Sequence, residues 1–381
     1  MYNMKSLRNP WHLNEFPNNL LKGGYIEWKY FNFSAPGVSG IILYIVDDPL
    51  NLTGIGGGRL VARIFTDKKT YGGAENVPMK NVAVSDKNAG IVMGKNNFIR
   101  VIGENYEIAG KLGDISWRLK YSPLLQPVLG FANMKMDFLG VEKASWEIKM
   151  PRARVSGVVK IGKRAVHVRS FGYADANWGN VAIPSSSQFK WAQYNDRKVS
   201  VVFGEIHSLL GIAGKRGGHW AEIFLLLGGK RIAFREREIG VLHSNWTITP
   251  GTKAKVPRAT VIHAENKNYD LNIEFRAIRS DHLELKTPFS LPIKPIVMEQ
   301  PSFITGELCG KKAGSLRLLH RFSGRGFMEY AFCAPVMDVG IIMLTQSVLV
   351  SPAGCFGELC APTPSLSVVS PLVTNSLLAA R

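Results

Sequence analysis

Short apolar runs broken by glycine-centred turns recur along most of the chain, and that pattern leaves few folds open. In HWAEIFLLLGGKRIAFRE two runs flank Gly228-Gly229, and a glycine pair can take the positive backbone angles of a two-residue hairpin turn. The same pattern predicts hairpins around Gly162-Lys163, Asp67-Lys68 and Ser280-Asp281. Val166 and Val168 alternate with His167 and Arg169, and Leu271, Ile273 and Phe275 alternate with Asn272, Glu274 and Arg276. A period of two implies sheets with one face in a core and the other in water. Long stretches with helical periodicity and caps are missing, so the predicted class is all-β, built as sandwiches or barrels.

An internal echo organises these strands. YIEWKYFNFSAPGVSGIILYIV (25–46) and FKWAQYNDRKVSVVFGEI (189–206) each give a Trp, a Tyr two or three places later, an Asn, a turn and an apolar strand. Two similar halves follow: an N-terminal β-domain over 1–180 and a C-terminal one over 188–350. NVAIPSSSQ (180–188) has the Pro/Ser composition of their connection. The tail 351–381, rich in Pro and Ser and nearly uncharged, reads as a mobile end or a lid over a barrel mouth.

Composition narrows the partners. A surplus of 47 Lys and Arg over 29 Asp and Glu gives a net charge of +18, which draws anionic partners. The basic residues are scattered in brief groups such as GKRGGH and REREIG, with no zinc-finger spacing and no RNA-recognition signature, so nucleic acid is not expected. A weak association with an anionic membrane surface, declining as salt rises, is the partner this charge suits. Cys309, Cys333, Cys355 and Cys360 form no CxxC pair, which argues against structural zinc. The first residues lack the apolar core of a secretory signal, and the longest apolar run, VGIIMLTQSVLV (339–350), is too short to cross a bilayer. A cytoplasmic protein able to sit at the periphery of a membrane is the expectation, and the sequons at Asn32, Asn51 and Asn245 then read as chance matches.

Two tempting motifs fail. GIGGGR (54–59) lacks the spacing and the Lys-Ser/Thr pair of a phosphate loop and reads as a hairpin loop. His219 and Glu222 lie three apart on a predicted strand and face opposite sides, so no metal is expected there. SFGYADANWGN (170–180) survives. In an extended strand Tyr173, Asp175 and Asn177 share one face, alternating with Ala174, Ala176 and Trp178. If that face lines a mostly apolar interior, burial raises the Asp175 pKa and leaves a neutral acid able to deliver a proton. The alternative is structural, with Asp175 and Asn177 hydrogen-bonding backbone between two glycines.

GYADANWG resembles the Gly-Tyr-x-Asp-His-Asn-Trp-Gly signature of the lipocalin-like superfamily of carotenoid 1,2-hydratase, AttH-type proteins and decalin-forming Diels-Alderases. EWKYFNF (27–33), SWEIKMPRARVSGVVKI (145–161) and GRGFMEYAF (324–332) resemble its opening, middle and closing elements, so the likeness spans about residues 25–335. The resemblance implies two lipocalin-like β-domains whose interface or barrel mouth holds an apolar, unsaturated small molecule, worked on with neither metal nor cofactor. It implies Asp175 and Tyr173 as catalytic residues. Trp146, Asn177, Trp178, Trp28, Tyr30, Glu27, Trp191, Tyr194 and Glu329 would bind substrate. The family often has His beside the Asp, where this chain has Ala174 and Ala176; the loss of an imidazole deletes a proton partner, leaves extra room and suits a cyclase more than a hydratase. A cofactor-free cyclase of a polyene or terpenoid is therefore expected, with an alkene hydratase and a non-catalytic lipid carrier as the other readings.

Overall fold

The computed structural model describes residues 11–12, 25–49, 56–85, 87–135, 143–179, 187–208, 212, 218–248, 255–284, 293–312 and 315–335. The tail at 351–381, the run at 339–350, Cys355, Cys360, Asn51 and most of the connection at 180–188 lie outside these residues.

The first half runs through β1 (Ile26–Ala35), β2 (Val38–Asp47), β3 (Gly57–Thr66), β4 (Thr70–Pro78), β5 (Val82–Val84), β6 (Ile91–Met93), β7 (Asn97–Ile102), β8 (Asn105–Leu112), β9 (Ile115–Pro123), β10 (Val128–Lys135), β11 (Lys143–Ile161) and β12 (Arg164–Gly179). The second runs through β13 (Ser187–Asn195), β14 (Val199–Ser208), β15 (His219–Leu227), β16 (Lys230–Arg235), β17 (Ile239–Ile248), β18 (Lys255–Glu265), β19 (Tyr269–Ala277), β20 (Asp281–Glu284), β21 (Ile293–Lys312) and β22 (Ser315–Pro335). Among the described residues these strands make two sheets, one in the order β4-β3-β2-β1-β12-β11-β9-β8-β7-β6-β5 with β10 on β11. The other runs β16-β15-β14-β13-β22-β21-β19-β18-β17 with β20 on β21. In each, the first strand of the half is zipped antiparallel onto its last, β1 on β12 and β13 on β22, so the echo seen in the sequence is an echo of topology. One sheet curls into a nearly closed barrel and the other into a half-barrel.

Three apolar layers result. Phe31, Phe33, Ile42, Tyr44 and Val46 fill the core of the first sheet, and Phe203, Ile223, Phe234, Ile273 and Phe275 fill that of the second. A third cluster takes side chains from both sheets, among them Tyr30, Ile41, Leu43, Trp146, Trp191, Trp220 and Phe327. The two sheets therefore pack against each other through an apolar seam. This explains why β2 reads as an unbroken apolar run: Ile42, Tyr44 and Val46 enter one core while Ile41, Leu43 and Ile45 enter the seam, so both faces are covered. Each large side chain buried this way contributes roughly 1.5–3 kcal/mol.

The predicted hairpins at Gly162, Asp67-Lys68 and Gly228-Gly229 form, with positive φ at Gly162 (57°), Gly228 (56°) and Gly229 (82°). The one at Ser280-Asp281 does not. β19 and β20 both pair with β21, Ala277 opposite Ser302 and Asp281 opposite Glu299, so the turn residues only bend one line of strand along a long partner. Asn32 is buried, in keeping with a chance sequon. No helix among the described residues is long and apolar enough to cross a membrane.

Candidate functional site

Strand alternation settles where the Tyr-x-Asp-x-Asn face points. Ala174 packs in the first core and Ala176 lies against Tyr25 and Trp178, so the odd-numbered side chains of this stretch face the seam. The interior that sequence reasoning placed conditionally inside a barrel is the space between the two sheets. The same alternation corrects the inference drawn from the missing imidazoles: positions 174 and 176 face away from Asp175's side of the strand, so their small size adds no room around the acid.

Asp175 is 5% exposed and held at three points. The Tyr173 hydroxyl donates to Oδ2 at 2.7 Å, the Trp146 indole N–H donates to the same oxygen at 2.9 Å, and the Asn177 amide lies 3.2 Å from Oδ1. Burial dominates these donors and the charge of Lys29, and pushes the Asp175 pKa up to about 7. With Oδ2 capped by two donors, Oδ1 is the oxygen left to carry the proton.

Trp146 reaches this carboxyl because two glycines make room for its ring. A Cβ at Gly130 would lie 2.3 Å from the indole and one at Gly204, on the second sheet, 2.9 Å. The ring then meets Trp220 edge-on at 6.1 Å, and Phe131 packs at 5.1 Å on Trp220. Beside the acid lies a cavity of about 90 Å³. Its wall takes Trp28, Tyr30, Trp146, Asp175, Asn177 and Trp178 from the first sheet and Phe189, Trp191, Ile206, Trp220 and Glu329 from the second.

Of the residues singled out in the sequence, Trp28, Tyr30, Trp146, Asp175, Asn177, Trp178, Trp191 and Glu329 line this cavity. Tyr173 stands behind Asp175 as its donor. Glu27 and Tyr194 are not brought to the wall. Glu27 points to the other face of β1, where it accepts from the His12 backbone N–H and from Tyr25, each at 2.7 Å, and where Lys29 at 2.6 Å and the His12 ring at 3.2 Å hold its pKa at about 2 despite burial. Tyr194 donates to the Ser323 carbonyl at 2.8 Å and stacks on Phe322 in the second core.

Sequence reasoning missed Phe131, Phe189, Trp220 and the buried Glu299, which faces Glu329 across β21 and β22. The signal for Glu299 was an acid in register with Val297 on an apolar strand face. Reading along one strand also hid a cross-strand group at the cavity edge. Glu205 Oε1 lies 2.9 Å from His207 Nε2 and 3.1 Å from His219 Nε2, a donor set that suits a transition metal, while Lys190 occupies Oε2 at 2.7 Å and sets a competing cation on the same carboxylate.

Solved structures share this architecture. A protein described as AttH from Nitrosomonas europaea superposes with a TM-score of 0.58 at 15% identity, covering 80% of this chain and 91% of its own. Kievitone hydratase from Nectria haematococca follows with 0.53 at 12%, covering 85% and 95%. CghA gives 0.56 at 11%, covering 82% and 89%, and has also been solved with Sch210972. The fold is that of the lipocalin-like proteins. Neither a family model nor a curated protein sequence matches the chain. The resemblance read from the GYADANWG motif is thus met at the level of fold, and the chemistry rests on the chain's own residues.

Proposed function

We propose that this protein is an enzyme that protonates an alkene of an apolar, unsaturated small molecule held in the seam. The observation that carries the reading is Asp175, a carboxyl buried among a phenol, an indole and an amide beside an aromatic-walled cavity. Burial keeps it protonated near neutral pH, and an alkene carbon next to Oδ1 could accept that proton. The resulting cation would lie among Trp28, Trp146, Trp191 and Trp220, whose ring faces are electron-rich. Attack by a second alkene would close a ring, and attack by water would give an alcohol. The cavity admits one end of a long substrate beside the acid, which favours reaction at a chain terminus or a single ring. A hydratase among the structures that share the fold is compatible with this chemistry.

The test pairs Asp175→Asn with turnover in heavy water, using linear isoprenoid and polyene alkenes. The expected wild-type product carries one new deuterium on carbon, and the variant loses about 10²–10⁴-fold in rate. It should still bind the alkenes within about twofold. Product formed at an undiminished rate without deuterium would replace the acid by a shape-driven cyclisation. Undiminished binding with no turnover by either protein would make the chain a carrier.

A further inference from the structure

Every buried carboxyl needs a donor, a cation or a proton of its own. Among the described residues Asp175 has two strong donors and Glu27 a lysine, whereas neither oxygen of Glu299 has a hydrogen-bond partner and the Arg63 charge that acts on it is paired with Asp281. It is fully buried, both its oxygens lack an N–H or O–H partner, and it sits directly opposite Glu329 in the β21/β22 register. A proton held between the two carboxyls satisfies the arrangement. Tyr30 supplies an independent sign that the place is built to receive something. Its hydroxyl is buried on the cavity wall without a hydrogen bond, Asn32 lying beside it but out of bonding geometry.

We propose that Glu329 is the base that completes the reaction Asp175 begins, and that Glu299 positions it by holding the shared proton. The inference rests on the alkene-acid reading above and adds the second half of its proton traffic. Asp175 gives its proton to one alkene carbon, forming a C–H bond and leaving a cation on the next carbon. A second alkene or a water attacks the cation, and the step ends when one proton leaves carbon or the attacking oxygen. The Glu329 carboxylate takes it. One proton has then crossed the cavity, Asp175 is the anion, Glu329 is the acid, and return of the proton to Asp175 resets the site. Substrate, products and charge balance without any further reactant.

The groups facing Glu329 fit this use. Asp175 comes from β12, Tyr30 from β1, Trp191 from β13 and Glu299 from β21, with no cation among them. The Arg63 charge acts on Glu299, and the Arg63 Nε is bound to Asp281 at 2.7 Å. Burial, before any other cause, pushes both glutamates up, and the charge of Asp175 adds to the rise of Glu329 while a proton on Glu299 moderates it. Asp175 and the pair therefore titrate as one unit, in which a single negative charge is shared between acid and base.

The full-length chain with carbon-13 glutamate, followed by isotope-edited infrared absorption across pH, tests the pair without any substrate. A protonated glutamate band should persist above about pH 6, beyond the ordinary carboxylate range. It should vanish in Glu299→Gln. Complete ionisation of every glutamate below that pH overturns the pair. In turnover, Glu329→Gln should lose about 10²-fold. Glu299→Leu, which removes the donor, should move the acid limb of the pH profile up by about one unit, and Glu299→Gln, which keeps a donor, should bring the limb back. If Asp175→Asn is inactive while Glu329→Gln and Glu299→Leu keep wild-type rates and limbs, the base assignment falls and the alkene-acid reading stands. An active Asp175→Asn removes that reading and the base with it.

Discussion

The same three-strand rung reads differently in the two sheets. In the first, Trp28, Asn177 and Trp146 lie side by side on β1, β12 and β11; in the second, Trp191, Glu329 and Glu299 occupy the matching places on β13, β22 and β21. One tryptophan is kept and an amide and an indole are exchanged for two carboxyls. The first rung supplies donors, the Trp146 indole to Oδ2 of Asp175 and the Asn177 amide to Oδ1. The second supplies two acids, and neither oxygen of Glu299 finds a donor, which is the ground for proposing that the pair keeps a proton. Two places along, Asp175 opposite Tyr30 is matched by Phe327 opposite Gln193, and Phe327 is buried against Phe65. The scaffold is laid down twice, while the polar groups on its matching rungs differ.

Breaking the first rung should cost most. Trp146→Ala removes a buried indole from the centre of the seam, and chemical denaturation should show a loss of about 3–5 kcal/mol. A loss under about 1 kcal/mol would mean the two sheets do not depend on that ring. Next comes the pH dependence of stability. Asp175 is neutral in the folded chain up to about 7 and ionised in the unfolded chain above 3.8, so between those values unfolding releases a proton. Stability should therefore fall as pH rises through that window, by roughly 4 kcal/mol for this group, and Asp175→Asn should flatten the slope. Urea midpoints that stay level or rise in the wild type would show the acid to be exposed or already paired.

Trp146→Phe sharpens the comparison. It keeps a ring but deletes the donor that lowers the Asp175 pKa, so the alkaline limb of activity should move up by about half to one unit. A downward shift would mean that the indole stabilises the neutral acid. The smallest effect concerns the surface. With a net charge of +18, co-sedimentation with vesicles rich in acidic lipid should be weak at low salt and disappear at high salt. Binding that ignores salt would put an apolar contact in place of charge.

The residues that make hairpins and the acid face were legible because their signals are local. Gly228-Gly229 dictates its own turn, and alternation alone put Tyr173, Asp175 and Asn177 on one side of a strand. Alternation did not say which side was the barrel core, since Ala174 and Asp175 both end up buried. Trp220, Glu205 and Glu299 were hidden for a related reason. Each becomes part of the site only when a neighbouring strand or the opposite sheet arrives, and its own strand at most marks it as buried, as the apolar face around Glu299 does, without telling a wall residue from a core residue. The Ser280-Asp281 turn failed because β21 is long enough to pair with both flanking strands, a fact carried by a segment well away from the turn.

Because the binding space lies where the sheets meet, its shape is set by two surfaces that fold on separate cores. Substitutions at Phe189, Ile206 or Trp220 can reshape one wall while the strands carrying Asp175 stay as they are. Drift on one half would change the shape of that space, with Asp175 kept as it is on the other.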